Sequence, residues 1–316
     1  MSASSAEAAR GCSRRSGRRA IIAGLTREVL ERLQRRGAAA PVGSAWTLNT
    51  EELKIELDEL VMEHRVVPFL RTFYAAPATE DGLLKAVIVE SKSGRRAVRA
   101  RQFVDATGDG DVALDLGLPS VQPERPQPPS LGAKILGLDG LGGFDWLAAV
   151  REHGREFGLE KDWGWGLPIP GLPGVQFRAD THVFGCDPSD GDQLTRGEIE
   201  GRRQVRAILD VIRTYGPADR PVALADLAAA LGARESRRLA ARYRLTGEDV
   251  LYGKRFDDAI ANGSYRVDIH HADGPGITFR NLDGTEEVIG ERGASARRGR
   301  WRDPLPEDPT FYQVPF

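Results

Sequence analysis

Thiols are scarce in this sequence, which has two cysteines, Cys12 and Cys186. They lie far apart and neither belongs to a CxxC pair, so a disulfide framework or a cysteine metal centre is disfavoured. No apolar run approaches the ~20 residues needed to cross a bilayer. An excess of either charge is also missing: a net charge of -2 offers no electrostatic grip on nucleic acid or on an acidic membrane surface. Lysine is rare and arginine carries nearly all the positive charge. With the richness in Ala and Gly, that reads as a compositional bias before an anion-binding signal. What remains is 316 residues, 41% hydrophobic and 28% charged, a composition that suits a soluble globular protein of one large or two smaller domains. These exclusions argue against a nucleic-acid partner, a membrane span and a cysteine metal site; a small-molecule substrate, a cytoplasmic location and possible homo-oligomerisation are expectations beside them.

Residues 1–19 are rich in Ser, Ala, Arg and Gly, with Glu7 as their one acid. They lack the apolar core of a secretory signal. The stretch reads as a disordered tail, and its composition also suits a transit peptide or a mis-assigned start. From about Ala20, Leu25, Val29, Leu30 and Leu33 recur at helical spacing until Gly37. Asn49, with Glu52 three residues on, opens a second helix whose apolar stripe is Leu53, Leu57, Leu60 and Val61. Strands are expected at Val66–Leu70, Ala86–Glu90 and Ala97–Val104, with turns at Asp81-Gly82 and Ser93-Gly94. A third clear helix is expected to open at Thr195 with Glu198, its apolar face made by Ile199, Val205, Ile208, Leu209 and Ile212. Thr246 with Asp249 starts a short helix, and Asn262-Gly263 ends the next one. Tyr265–Ile269 alternates like a strand, residues 274–309 are polar and turn-rich, and Tyr312–Phe316 reads as a strand beginning.

The most informative stretch is Phe103-Val104-Asp105-Ala106-Thr107-Gly108-Asp109-Gly110-Asp111. A strand is expected to run into a Gly-rich turn there, followed by a helix over Val112–Leu116. Gly108 to Ala113 matches GxGxxG/A literally. A pyrophosphate loop, however, presents bare amides and a helix N-terminus to its anion, whereas Asp109 and Asp111 would set two carboxylates beside the phosphates. A calcium loop starting at Asp105 would need a bidentate Glu where Leu116 stands. Two readings remain: a tight turn whose Asp111 caps a helix, or a place where glycine, lacking Cβ, lets the chain pass close to a dinucleotide.

Residues 20–112 resemble the later half of the FAD domain in glutathione-reductase-like flavoproteins. More narrowly, they resemble the FAD-dependent oxidoreductases related to the flavin subunit of heterodisulfide reductase. The likeness rests on Ala106-Thr107-Gly108-Asp109-Gly110-Asp111 and on Asp190 to Arg203. It continues through Leu231-Gly232-Ala233-Arg234-Glu235-Ser236-Arg237-Arg238, then Tyr243 to Leu251, Phe256 to Ile260, and Asp268-Ile269-His270. It implies an α/β protein: a partial Rossmann-like FAD/NAD(P)-binding domain with an inserted α+β substrate or cap domain. The expected boundaries are a tail over 1–19, a partial FAD domain over 20–112, a cap over 113–290, and a return segment over 291–316. It implies hydride transfer between an organic substrate and FAD. Thr107, Gly108, Asp109, Gly110 and Asp111 would lie by the cofactor, and Arg234, Arg237 and His270 on the substrate side. Relatives open with a true GxGxxG turn and close with a segment covering the flavin. Neither is found here, so the expectation is a fragment that binds FAD poorly by itself. The alternative is a non-catalytic remnant or interaction module. Some relatives carry an iron–sulfur cluster, but two lone cysteines cannot supply its four thiolates.

The residues themselves leave alternatives open. Arg234, Glu235, Arg237 and Arg238 suit a salt-bridged surface strand as well as an anion clamp, for which Arg offers a planar fork of donors. Alternation would send Glu235 and Arg237 to one face, Arg234 and Ser236 to the other. His270 and His271 suit an isolated surface pair or a proton-transfer role beside Asp268. His64, His153 and His182 show no acidic or nucleophilic partner in a motif. Trp163 and Trp165 suit a cavity lining or a loop anchor, and Tyr74 a place near the adenine.

Overall fold

The computed structural model describes residues 23–43, 45–160, 162, 164–290 and 295–316. Helix α1 (Gly24–Arg35) buries Leu30 and Leu33 and stops before Gly37. Gly37 takes φ +67°, a left-handed conformation that glycine adopts without a Cβ penalty. Strands β1 (Ala39–Val42) and β2 (Ala45–Leu48) form an antiparallel hairpin. Helix α2 (Thr50–Glu63) starts as expected, with Asn49 Oδ1 accepting from the Glu51 amide at 3.1 Å. Its apolar stripe is not buried, however. Glu56 is its buried side chain, ion-paired to Arg36 at 2.8 Å, and Leu57 is exposed.

Two compact units divide the chain. The smaller holds residues 58–124 and 236–244. Its sheet is β3 (Phe73–Glu80), β4 (Leu83–Ser91) and β5 (Gly94–Arg99), ordered β3-β4-β5 and antiparallel throughout. Asp81 and Gly82, at φ +52° and +72°, make the tight β3–β4 connection, since hairpin turns that match strand twist need positive φ. Val66–Leu70 forms no strand, and neither do residues 100–106. Both segments have strand-like side chains, but a strand needs a neighbouring ladder to satisfy its backbone, and neither segment is paired. The five-residue helix α3 (Asp111–Asp115) follows, and a short ladder pairs β6 (Ser120–Val121) with β11 (Arg238–Leu239).

The larger unit takes residues 125–235 and 245–316 together with the N-terminal residues through Leu57. One four-stranded antiparallel sheet is ordered β10 (Ala223–Leu227), β7 (Ala133–Leu136), β9 (Val175–Ala179), β8 (Trp165–Pro168). Helices α4 (Trp146–His153) and α5 (Gly191–Tyr215) build one core with it, in which Leu131, Ile135, Leu209, Val211 and Ile212 are almost wholly buried. Added methyls at Gly197 and Gly201 would lie 2.8 Å from Cys186 Sγ and 2.9 Å from Leu131 Cβ, so these glycines let α5 approach its neighbours. Helix α5 opens a turn earlier than expected: Asp190 accepts from the Gln193 amide, while Thr195 bonds back to the Gly191 carbonyl inside the helix. Ile199, placed in its apolar face by the sequence pattern, is exposed.

Helix α6 (Gly247–Leu251) carries the complete Thr246–Asp249 capping box. Beyond it the expected helix is instead β12 (Ala259–Gly263), paired with β17 (Tyr312–Pro315). The polar stretch after Gly274 folds into β14 (Ile277–Arg280), β15 (Thr285–Ile289) and β16 (Arg297–Arg300), which extend β13 (Val267–His270) into an antiparallel sheet. Among the described residues every ladder is antiparallel. None of their helices is long and apolar enough to cross a membrane.

Candidate functional site

Local hydrogen bonds shape the Ala106–Asp111 turn in the smaller unit. Asp105 Oδ1 accepts from the Thr107 amide at 3.2 Å and its hydroxyl at 2.7 Å, and Oδ2 accepts from the Ala113 amide at 3.1 Å. Thr107 Oγ1 in turn accepts from the Asp111 amide at 2.9 Å. The sequence places this turn at the end of a strand, but the residues before it are unpaired chain, and Asp105 organises the turn in place of a ladder. Burial pushes the Asp105 carboxyl up. Hydrogen bonds from Thr107, Ala113 and Val112 outweigh that and hold it below its ordinary value.

The same bonds decide what the turn can bind. The first amides of α3 point at Asp105 and Thr107, so the helix end that a diphosphate would use is occupied by the chain's own oxygens. Gly108, at φ +94°, has open space where a Cβ would project, whereas a methyl on Gly110 would lie 2.9 Å from Leu239. Asp109 accepts a short hydrogen bond from the Ser236 hydroxyl, and Asp111 is ion-paired to Arg237 at 3.0 Å. The helix end of the turn is thus closed to phosphates by the chain's own oxygens, while the backbone at Gly108 stands open. Tyr74 donates to Asp115 at 3.1 Å. Burial, followed by that bond, pushes its phenol up to about 12.

In the larger unit a second group of polar side chains converges. Arg234 donates from Nε to the Pro128 carbonyl at 3.0 Å and from Nη2 to Ser130 Oγ at 2.8 Å. Its residue neighbour Glu235 accepts from the Gln127 amide at 3.0 Å, and the other Gln127 end, Oε1, accepts from the His270 amide at 2.8 Å. Strand β13 brings Asp268 and His270 to one face by its two-residue repeat. His270 Nε2 lies 3.6 Å from Asp268 Oδ1, beyond hydrogen-bond reach, while Asp268 Oδ2 accepts from Tyr265 at 2.9 Å.

Against His270 stands His182, with ring centroids 4.9 Å apart. His182 Nδ1 is 2.8 Å from Asp162 Oδ2, close but not aligned as a hydrogen bond, and both of its ring nitrogens are buried without a hydrogen-bond partner, as is Asp268 Oδ1. Asp162 Oδ1 accepts from the Gly276 amide at 3.0 Å. The backbone of His182 is held on both sides by Gln204. Burial drives His270 down to about 3, with the Arg234 charge and His182 adding to the effect and Asp162 opposing it. His270 is therefore neutral near pH 7.

Of the residues singled out in the sequence, the structure brings Arg234 and His270 into one electrostatic neighbourhood. Arg237 belongs to the turn of the smaller unit through Asp111, together with Thr107, Gly108, Asp109 and Gly110. Trp163 lies outside the described residues, and Trp165 packs at 5.5 Å from the Phe177 ring. Sequence reasoning missed the His182–Asp162 pair, because no short motif links positions twenty residues apart.

A fold of mixed helices and small sheets, with an Ala-Thr-Gly turn and an Arg–His cluster, suits a flavoprotein oxidoreductase. The family model described as FAD dependent oxidoreductase matches residues 2–316, and the chain belongs to that family. The family acts as FAD-dependent oxidoreductases and implies a Rossmann-like α/β fold. No curated protein and no solved structure matches the chain.

Proposed function

We propose that this chain serves hydride transfer between an organic substrate and FAD. The family match over residues 2–316 carries this reading. When bound, FAD supplies the electron acceptor or donor. Thr107, Gly108, Asp109, Gly110 and Asp111 are assigned to its hydroxyl-bearing part: carboxylates accept from hydroxyls, and the open backbone at Gly108 permits close approach. Arg234 and His270 are assigned to the substrate. Arg234 contributes a fixed positive charge, and neutral His270 offers one N–H and one lone pair. Arg237, which neutralises Asp111 in the smaller unit, is proposed for the substrate side on the family resemblance.

A second reading is favoured by one observation. The amides of α3 are satisfied internally by Asp105 and Thr107, as suits a module that holds no flavin. Absorbance of the purified chain, followed by titration with FAD under flavin-fluorescence detection, separates the two. Bound flavin, with affinity lost on Gly108→Val, supports the redox reading. A colourless protein that leaves micromolar FAD free supports the flavin-free module.

A further inference from the structure

A short strap of the larger unit, Gln127-Pro128-Pro129-Ser130, meets three segments that are distant from it in sequence. Pro128 and Pro129 are almost wholly buried. Proline has a fixed φ and no N–H, so the strap resists bending and has no buried donor to satisfy at those two positions. Its carbonyls are used instead. The Pro128 carbonyl accepts from Arg234 Nε at 3.0 Å, and the Pro129 carbonyl from the Val183 amide at 2.9 Å. Ser130 exchanges two backbone bonds with Gly232, at 3.1 and 2.8 Å, and its hydroxyl accepts from Arg234 Nη2 at 2.8 Å. Two bonds to one rigid strap fix the planar guanidinium in direction as well as in place.

Gln127 extends the strap to β13. That strand lies at the edge of its sheet, with β14 on one side. His270 is buried, so its amide needs a partner within the protein. Gln127 Oε1 supplies it at 2.8 Å, while the Gln127 amide donates to Glu235 at 3.0 Å. A backbone N–H can only donate, which turns the oxygen of this side-chain amide towards His270. One residue thus holds the strand that carries His270 and the residue next to Arg234. It does so from the end of the strap on which Arg234 rests.

We infer that Gln127 is a positioning residue, which keeps the backbone of His270 in register with the strap that orients Arg234. This role rests on the assignment of Arg234 and His270 to the substrate under the redox reading. The linkage itself is a property of the chain and is tested without flavin, so a chain that binds no FAD would end that reading and leave the linkage to stand or fall by itself.

The full chain is compared with three variants. Gln127→Met keeps the side-chain length and loses the acceptor, Gln127→Asn draws the amide back by one methylene, and Gln127→Glu keeps an acceptor oxygen. Amide exchange at His270 and the Arg234 Nε–H resonance are read by nitrogen-edited NMR near neutral pH. Gln127→Met should speed exchange at His270 at least fivefold and shift the Arg234 signal, with exchange in α5 unchanged. Gln127→Asn should do the same at least twofold, and it decides the matter if the methionine variant does not fold. Gln127→Glu should restore slow exchange at His270. A general loss of stability would speed exchange in α5 as well, and glutamate would not reverse it. The inference is overturned if the two neutral variants leave His270 exchange unchanged, if His270 responds while the Arg234 signal stays in place, or if Gln127→Glu exchanges as fast as Gln127→Met.

Discussion

The two units of this protein are held together by different physics. In the larger, α4, α5 and the β10-β7-β9-β8 sheet close over a continuous core. In the smaller, Ala86 and Ala113 are the buried apolar side chains among the described residues, while Val67, Leu70, Phe73 and Val104 are each more than 70% exposed. Its order comes from the β3-β4-β5 ladders and from the polar turn around Asp105. Backbone hydrogen bonds yield little net stability because water competes for them, and small sheets without an apolar face to bury are marginal. The contrast teaches that the turn resembling a cofactor site sits on the less self-sufficient scaffold, whereas the polar cluster around His270 and His182 is anchored in a packed interior.

The sharpest test is truncation of one large apolar residue in each unit. Leu209→Ala should cost about 3–4 kcal/mol, the range for a fully buried leucine whose cavity cannot collapse. Leu70→Ala should stay within about 0.5 kcal/mol, as exposed substitutions do. Urea unfolding followed by circular dichroism reads both. Equal losses would mean that Leu70 is packed in solution and would break the comparison.

Next in size is a pH effect confined to the larger unit. His270 is 4% exposed and pushed down to about 3, against about 6.5 when unfolded. Because its folded value is the lower one, the unfolded chain binds the extra proton first. The stability is fully present above pH 6.5 and is lost as pH falls toward 3. At pH 5 the loss should be about 2 kcal/mol. His270→Gln should flatten the stability profile between pH 5 and 7. An unchanged slope in that variant would show that His270 is not the titrating group.

A smaller effect is expected at the turn. Asp105→Ala removes the acceptor for the Thr107 and Ala113 amides and should cost about 1 kcal/mol, as the loss of a helix cap does. Asp105→Asn should recover part of it. The folded value of Asp105 lies below the unfolded one, so its contribution is present above pH ~4 and disappears on further acidification. Hydrogen exchange at Ala113 is the local readout, and protection unchanged in the alanine variant would remove Asp105 from its organising role.

What could be read from the sequence was local. The Thr246–Asp249 box, the Asn49 cap and the Asp81-Gly82 turn depend on neighbours a few residues away, and each forms; the strand at Tyr312 also forms, on a partner strand distant in sequence. Most of what escaped depends on distant partners. Strands β14 to β16 carry charged side chains that pair across the ladder, Arg280 with Glu286 and Glu287 with Arg298, so their pattern reads as polar loop. Val66–Leu70 has the apolar character of a strand but no ladder to join. At the candidate site, the family resemblance singled out Arg234 and His270, which the fold brings into one electrostatic neighbourhood. The approach of His182 to Asp162 is a product of chain folding and left no spacing to recognise.

The smallest expected change in stability tests the exposed apolar surface itself. Val104 is 84% exposed, so Val104→Ser removes little buried area. By the relation of about 25 cal/mol per Å² of apolar surface, its effect on unfolding should stay within about 0.5 kcal/mol. Its effect on self-association should be larger, because exposed apolar surface in water favours contact with other apolar surface. Combined with Leu70→Ser and Phe73→Ser, it should lower binding of a hydrophobic dye and raise the concentration at which the protein precipitates, with the unfolding midpoint of the larger unit unmoved. A triple variant that binds the dye as strongly as the parent chain would mean that these side chains are covered in solution, and the contrast between a closed core and an open face would have to be given up.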